Sequence, residues 1–338
     1  MKKLIKDLLI TAIVIGGCVY GFKHIDHTQL TEKIVTVEKE IKKETLQKIE
    51  NLQVKEEASK EQQKEIKVDN LGIPKITSAP KMTVASEYNK DWYVYENHFK
   101  NFTLTFSDKS GGYVAGNGRT IFDATIGKTT YNEIKQKLGT PLSQIEKGNV
   151  IYQLSSSKDK EQLLYNIDGY YVTFFIDNHN HNKLRSVQYI KKDVEMQKNG
   201  YYGQGTAKLK VGYEKLMVEL INESRVEFGL KPLTYDHGLT AQARNHSQDM
   251  IDHHYFSHSG SDGSQPQSRM KAAGYNEHLY AENIASGQFS SIYAHEALMN
   301  SLGHRENILN PELTHVGVGV AFDTKNVPYY TINFYTPF

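Results

Sequence analysis

The chain has 338 residues, and 38% of them are apolar, which is enough for two domains with real cores. Its 40 Lys and Arg are balanced by 39 Asp and Glu. That balance argues against a nucleic-acid partner, which needs a basic surplus to neutralise phosphates. The single cysteine, Cys18, excludes an intramolecular disulfide and a cysteine-based zinc site.

Lys2, Lys3 and Lys6 precede a charge-free run from Leu8 to Phe22. The run suits a signal-peptide core and is shorter than the roughly 20 residues of a spanning helix. Lys6 and Lys23 can snorkel and lengthen the span. Ile15-Gly16-Gly17-Cys18 resembles a lipoprotein box with Cys18 as the lipidated residue, but the apolar run continues beyond it. Residues 1–23 therefore read first as an uncleaved signal anchor. A lipoprotein and a cleaved signal peptide are the alternatives. All three put the rest of the chain outside, in agreement with the lysines that precede the run. The expected location is the cell membrane, crossed once, with extracellular C-terminal domains.

Residues 24–70 form a charged spacer. From Leu30 to Asn70 there is no aromatic residue, no Gly and no Pro. Ile34, Val37 and Ile41 stand at helical spacing, so the spacer reads as a helical or disordered stalk.

Residues 71–205 read as a middle α+β domain with an internal repeat. Leu71-Gly72-Ile73-Pro74 recurs as Leu138-Gly139-Thr140-Pro141. A charged, helix-like stretch precedes each copy: Glu61 to Val68, then Tyr131 to Lys137. Runs rich in β-branched and aromatic residues follow: Trp92–Tyr95 and Phe102–Phe106, then Val150–Tyr152, Tyr171–Ile176 and Leu184–Ile190. Gly111-Gly112 and Asp177 to Asn180 read as turns. Two helix–strand units would each carry a half-buried sheet, and pairing them would bury both faces. With the Trp92-Tyr93-Val94-Tyr95 strand and Thr125 to Thr130 opening a helix, the stretch resembles the CAP-associated domain of bacilli. No catalytic constellation is visible in it.

From about Gly212 the pattern turns helical. Leu216, Met217, Leu220, Ile221 and Phe228 recur at helical spacing, and Gly229 can end that helix. Asp236 can cap a second helix, with His246 on its inner face as a hydrogen-bonded core histidine. Pro266 and Ser291 open two more, and Val316–Phe322 and Tyr329–Phe334 read as strands. Helices mixed with strands suggest a layered α–β–α domain. Three segments place titratable groups among apolar neighbours: Tyr255 to His258, Ala281 to Ala285, and Ser301 to Leu309. Two imidazoles and a carboxylate are a credible zinc set with open positions.

Residues 212–338 are identified as a CAP domain (also called SCP or PR-1-like). The motifs are Leu220-Ile221-Asn222 with Arg225, His246 to Met250, Phe256-Ser257-His258, Arg269-Met270, Ala281 to Ala285, Gly303-His304-Arg305 with Asn307, and His315 to Gly319. The resemblance implies an α–β–α sandwich with a cavity lined by two His and two Glu. Carried over by motif, these are His258, Glu282 and His304. Ser301 stands where the second Glu is expected, and Glu296 on the same helix is its stand-in. His258, Glu282 and His304 would suffice for zinc. His295-Glu296 also begins a zincin-like pattern, but Met299 stands where its second histidine is needed.

The expected function is that of a surface-displayed module binding a protein, lipid or cell-wall ligand, with the membrane met through the N-terminal segment. One alternative is a metal-assisted hydrolase of peptide or cell-wall material, with Glu282 as base. A second is a structural protein in which the His/Glu set stiffens the fold.

Overall fold

The computed structural model describes residues 65–153 and 160–338. The apolar run, Cys18 and most of the spacer lie outside them. Among the described residues no helix is long and apolar enough to cross a membrane.

The middle domain opens with β1 (Met82–Ala85), β2 (Asp91–Asn97), β3 (Lys100–Thr105), β4 (Gly111–Ala115) and the short β5 (Thr120–Ile121) and β6 (Ala124–Thr125). Helix α1 (Tyr131–Leu138) follows, then β7 (Gln144–Lys147), β8 (Val150–Gln153), β9 (Gln162–Ile167), β10 (Tyr170–Asp177), β11 (Lys183–Lys191) and α2 (Lys192–Gln197). Thr130 caps α1, and its hydroxyl and the Glu133 carboxylate bond each other's backbone N–H. β1–β4 and β9–β11 make one antiparallel sheet in the order β1-β2-β3-β4-β11-β10-β9. β7 and β8 form a separate hairpin.

The two expected repeats thus meet edge to edge and not face to face. Val114 of β4 stands opposite Val187 of β11. The alternation of side chains then decides what covers each face. Val114, Val187 and Phe174 pack with Tyr131 and Ile134 of α1. Tyr113, Ala115 and Phe175 point the other way and share a core with Leu216, Leu220 and Ile292 of the C-terminal domain. One sheet is covered by its own helix on one side and by the next domain on the other.

Two local expectations change. Residues 65–70, expected in the charged stalk, are not helical. Ile66 bridges to Ile167, and its N–H donates to Asn166 O at 2.8 Å. Ile66 and Val68 stand two apart, a strand period, and both pack on this core. Gly111-Gly112 is not a turn but the buried start of β4. A Cβ on Gly112 would lie 2.3 Å from the Tyr189 hydroxyl. The glycine lets the Tyr189 ring lie across the strand.

The C-terminal domain comprises α3 (Ala207–Glu227), β12 (Thr234–Tyr235), α4 (His237–Asp252), α5 (Pro266–Ala272), β13 (Glu277–Ser286), α6 (Ser291–Asn300), α7 (Leu302–Ile308), β14 (His315–Phe322) and β15 (Pro328–Pro337). Thr206 caps α3 and Asp236 caps α4. The sheet order is β12-β14-β15-β13. Val316, Val318 and Val320 pack with Met217 and Ile221 of α3 and with Leu298 of α6. On the opposite face α4 lies so close that a Cβ on Gly319 would sit 2.0 Å from Arg244 N. The Val-Gly alternation of β14 is therefore a helix-bearing face on each side. With no disulfide available, Arg225 ties the loops: its guanidinium donates to the carbonyls of Lys231, Ile308, Asn310 and Leu313. Residues 62–338 form one compact unit.

Replacing Gly112 by Ala is expected to lower stability by about 1–3 kcal/mol through overpacking against Tyr189, read by denaturant unfolding. A second expectation concerns Glu87, in the β1–β2 turn. Burial pushes its carboxyl up to about 7 from the usual 4.5, against the attraction of Lys198. Folding then takes up a proton between those two values, so this group's contribution is complete below the lower one and is lost as pH rises through the upper. Glu87→Gln should gain stability over the parent at pH 8 and gain none at pH 4.5, measured by thermal unfolding at both.

Candidate functional site

Glu282 is borne by β13, an edge strand of the sheet, where it pairs with Asn333 of β15. Its side chain is only 2% exposed. Such a carboxylate must be compensated, and a loop and a short helix supply the partners. His258, on the loop after α4, places Nδ1 2.9 Å from Oε1. Arg269 of α5 places Nη2 2.8 Å from Oε2. Arg269 also donates to the carbonyls of His258 and Ser264, so it pins the same loop. His246 of α4 is buried, lies with Nε2 3.0 Å from Ser257 O, and stands 4.0 Å from Glu282 Oε1. Burial lowers its pKa, against the attraction of Glu282.

The next residue anchors the far wall. The Asn283 amide donates to His304 O at 2.9 Å, and Asn307 donates to Asn283 Oδ1 at 2.8 Å. These bonds hold the start of α7 on β13. His304 is half-buried, and its Nδ1 lies 2.8 Å from Ser301 Oγ. Ser301, at the place expected for a glutamate, thus orients the second imidazole. Burial lowers the pKa of His304, and the nearby His258 lowers it further.

The structure therefore joins His258 to Glu282 and sets His304 near enough for His258 to act on it. It sends Glu296 elsewhere. Glu296 faces the middle domain, with Oε2 3.0 Å from Arg185 Nε and Oε1 accepting from Tyr113 OH at 2.7 Å and from Ser186 Oγ at 2.5 Å. His295 is fully buried beside it, 2.9 Å from Ser224 Oγ. Arg305 is buried and chelates Asp177 through both nitrogens, at 3.1 and 2.9 Å.

The expected zinc set does not fit this arrangement. Among the described residues no three His, Cys, Asp or Glu side chains are placed to share a metal. Both Glu282 oxygens are engaged, by His258 and by Arg269. Glu282 acts from behind the imidazole: it favours the Nδ1–H tautomer, which leaves Nε2 as the acceptor nitrogen. Sequence reasoning missed Arg269 as part of the site, because only the fold brings α5 against β13.

Residues 218–334 match the model of the cysteine-rich secretory protein (CAP) family, and residues 66–201 match the CAP-associated N-terminal model. The chain is a bacterial CAP protein with a CAP-associated N-terminal domain. Over 107 residues it is 49% identical to the uncharacterized protein YkwD of Bacillus subtilis, and that match spans 32% of this chain and only 42% of YkwD. It is 26% identical to the uncharacterized membrane protein YlbC of the same organism, over 78% of this chain and 80% of YlbC. An extracellular SCP-domain protein from Bacillus anthracis shares the fold at TM-score 0.65 and 26% identity, covering 76% of this chain and 88% of that one. A cysteine-rich secretory protein from Staphylococcus aureus shares the fold at TM-score 0.62 and 19% identity, covering 76% and 86%.

Removing one partner of the Glu296 pair should be costly. Arg185→Leu is expected to destabilise by about 3–5 kcal/mol, because Glu296 and Glu223 stay buried with less compensation. Adding Glu296→Leu should recover part of that loss in urea unfolding.

Proposed function

We propose that this CAP protein is displayed outside the membrane and binds its ligand at the His258/His304 cleft. The observation that carries this reading is the state of Glu282. A general base must offer an oxygen to water, and both oxygens of Glu282 are held by neighbouring cations or donors. The carboxylate positions an imidazole and a loop, which is the work of a recognition surface. The rim supports the same reading. Phe256 is 53% exposed and Leu302 58% exposed, each two residues before a cleft histidine. Large apolar side chains left in water beside polar groups mark contact surfaces. The relatives named a membrane protein and an extracellular protein support a surface location, with residues 1–23 as the anchor.

Residues 62–338 should sediment with isolated bacterial cell envelopes and release nothing from them. His258→Ala with His304→Ala should cut the bound fraction at least fivefold, and His304→Ala alone, which leaves the Glu282 pair intact, should weaken binding at an unchanged melting temperature. Soluble peptide or reducing sugar released by the parent and not by the double variant would establish the hydrolase instead. A melting temperature that falls sharply in His304→Ala alone, with binding retained, would favour the structural role.

A further inference from the structure

The face of the middle sheet that turns toward the CAP domain is not filled along its β9–β11 half. A cavity of about 270 Å³ remains there. Thr173 and Gln188 form its floor, the β7–β8 hairpin one wall, and Phe289 and Tyr293 of the CAP domain another. It opens to solvent beside Lys135 and Ser143, which are exposed. The volume is near the lower end of ordinary ligand sites, about 300–1,000 Å³, so it suits one ring and not a chain.

Three features show which chemistry belongs there. First, Gln188 is 2% exposed, and its Nε2 has no hydrogen-bond partner. A buried donor left unmet costs about 1–3 kcal/mol, so the floor asks for an acceptor. Second, Lys147 and Lys198 crowd one carboxylate oxygen, Glu195 Oε1, at 2.6 and 3.1 Å. Their side chains are only 11% and 2% exposed. The two cations share one anion, with Phe289 4.2 Å from Lys198 Nζ and Gly200 O 3.3 Å from Lys147 Nζ as their other partners, so a second anion can still add charge compensation. Burial lowers the pKa of Lys147, and Lys198 lowers it further against the attraction of Glu195. Of the other nearby carboxyls, Glu87 has its pKa pushed up to about 7 by burial and so carries only part of a charge near neutral pH, while Glu146 acts on Tyr171 of the lining. Third, the walls are aromatic. Tyr152 stacks on Tyr201 at 5.8 Å, Tyr201 meets Phe289 edge-on at 5.3 Å, and Phe289 meets Tyr293 at 4.1 Å.

We propose that this cavity is a second ligand site, separate from the CAP cleft, and that it takes a sugar acid: one pyranose ring carrying a carboxylate. The C–H face of the ring lies on the tyrosine wall. The carboxylate joins Glu195 in compensating Lys147 and Lys198. A ring or acyl oxygen accepts from Gln188. A bare inorganic anion would leave the aromatic walls wet, a hydrocarbon would leave Gln188 unmet, and a neutral sugar would add no charge to help Glu195 offset the two lysines.

The test is calorimetric titration of residues 62–338 with N-acetylmuramic acid and glucuronic acid, beside N-acetylglucosamine as the neutral counterpart. Saturable binding of an acid, at least tenfold tighter than the neutral sugar, is expected. Lys147→Gln and Gln188→Leu should each weaken it about tenfold, while His258→Ala with His304→Ala leaves it unchanged. Lys147 lies on the hairpin outside the main sheet, so that variant reports even where Gln188→Leu fails to fold. No saturable binding of either acid, equal binding of the neutral sugar, or full affinity in Lys147→Gln would overturn the proposal. Binding of 4-hydroxybenzoate in place of both sugar acids would overturn the sugar assignment. Loss of binding in the cleft double variant would move the site to the CAP domain.

Discussion

Arg185 reaches out of the middle sheet into the CAP domain and sets its Nε 3.0 Å from Glu296, with both side chains out of water. Taking two such charges from solvent costs several kcal/mol per ion unless hydrogen bonds meet the remaining lone pairs and protons. Here they are met. Tyr113 and Ser186 donate to the other oxygen of Glu296, and Arg185 reaches Glu223 and Ser224 as well. Burial works against the Arg185 charge, but Glu296 and Glu223 outweigh it and raise its pKa. The pair has only one good geometry, so it sets β11 against α6. Asp177 and Arg305 repeat the arrangement one helix further on.

That seam matters for the cleft. α6 leads directly into α7, and α7 carries His304. Clamped at Glu296 and at Arg305, the two helices are fixed against β11 and β10 of the middle sheet. Asn283 and Asn307 then set the last few ångströms by joining α7 to the strand that bears Glu282. The middle domain is thus part of what positions the CAP cleft, although it contributes no side chain to it. It also explains why the apolar faces of β1–β4 and α3 share one core.

Much of the fold is legible locally. Asp236 and Pro266 open helices where a cap and a proline predict them, because these residues act on the backbone within one turn, whereas α3 begins at Ala207 and not near Gly212. β10 and β11 announce themselves through aromatic and β-branched residues. β13 does not: Glu277 to Ser286 includes charged and amide residues, and its pairing with β15 makes it a strand. Gly111-Gly112 has turn composition, yet it is strand because Tyr189 and Phe106 occupy the space of the missing side chains.

The sequence by itself determined that two apolar domains follow a charged spacer, that the second is a CAP domain, and that His258, Glu282 and His304 belong together. The spacer and the helices rest on composition, periodicity and capping, which are properties of neighbouring residues, and the CAP domain with its His/Glu grouping rests on the resemblance to that family's motifs. Only the tertiary structure decided which way α6 turns its polar groups. Glu296 finds Arg185 across 111 residues of chain, and Arg305 finds Asp177 across 128. A helix pattern marks a side chain as inward-facing, but partners that distant are set by how whole layers pack. The same packing took Glu282 away from a shared metal by placing Arg269 against it, since a buried carboxylate binds the cation that the fold brings within reach.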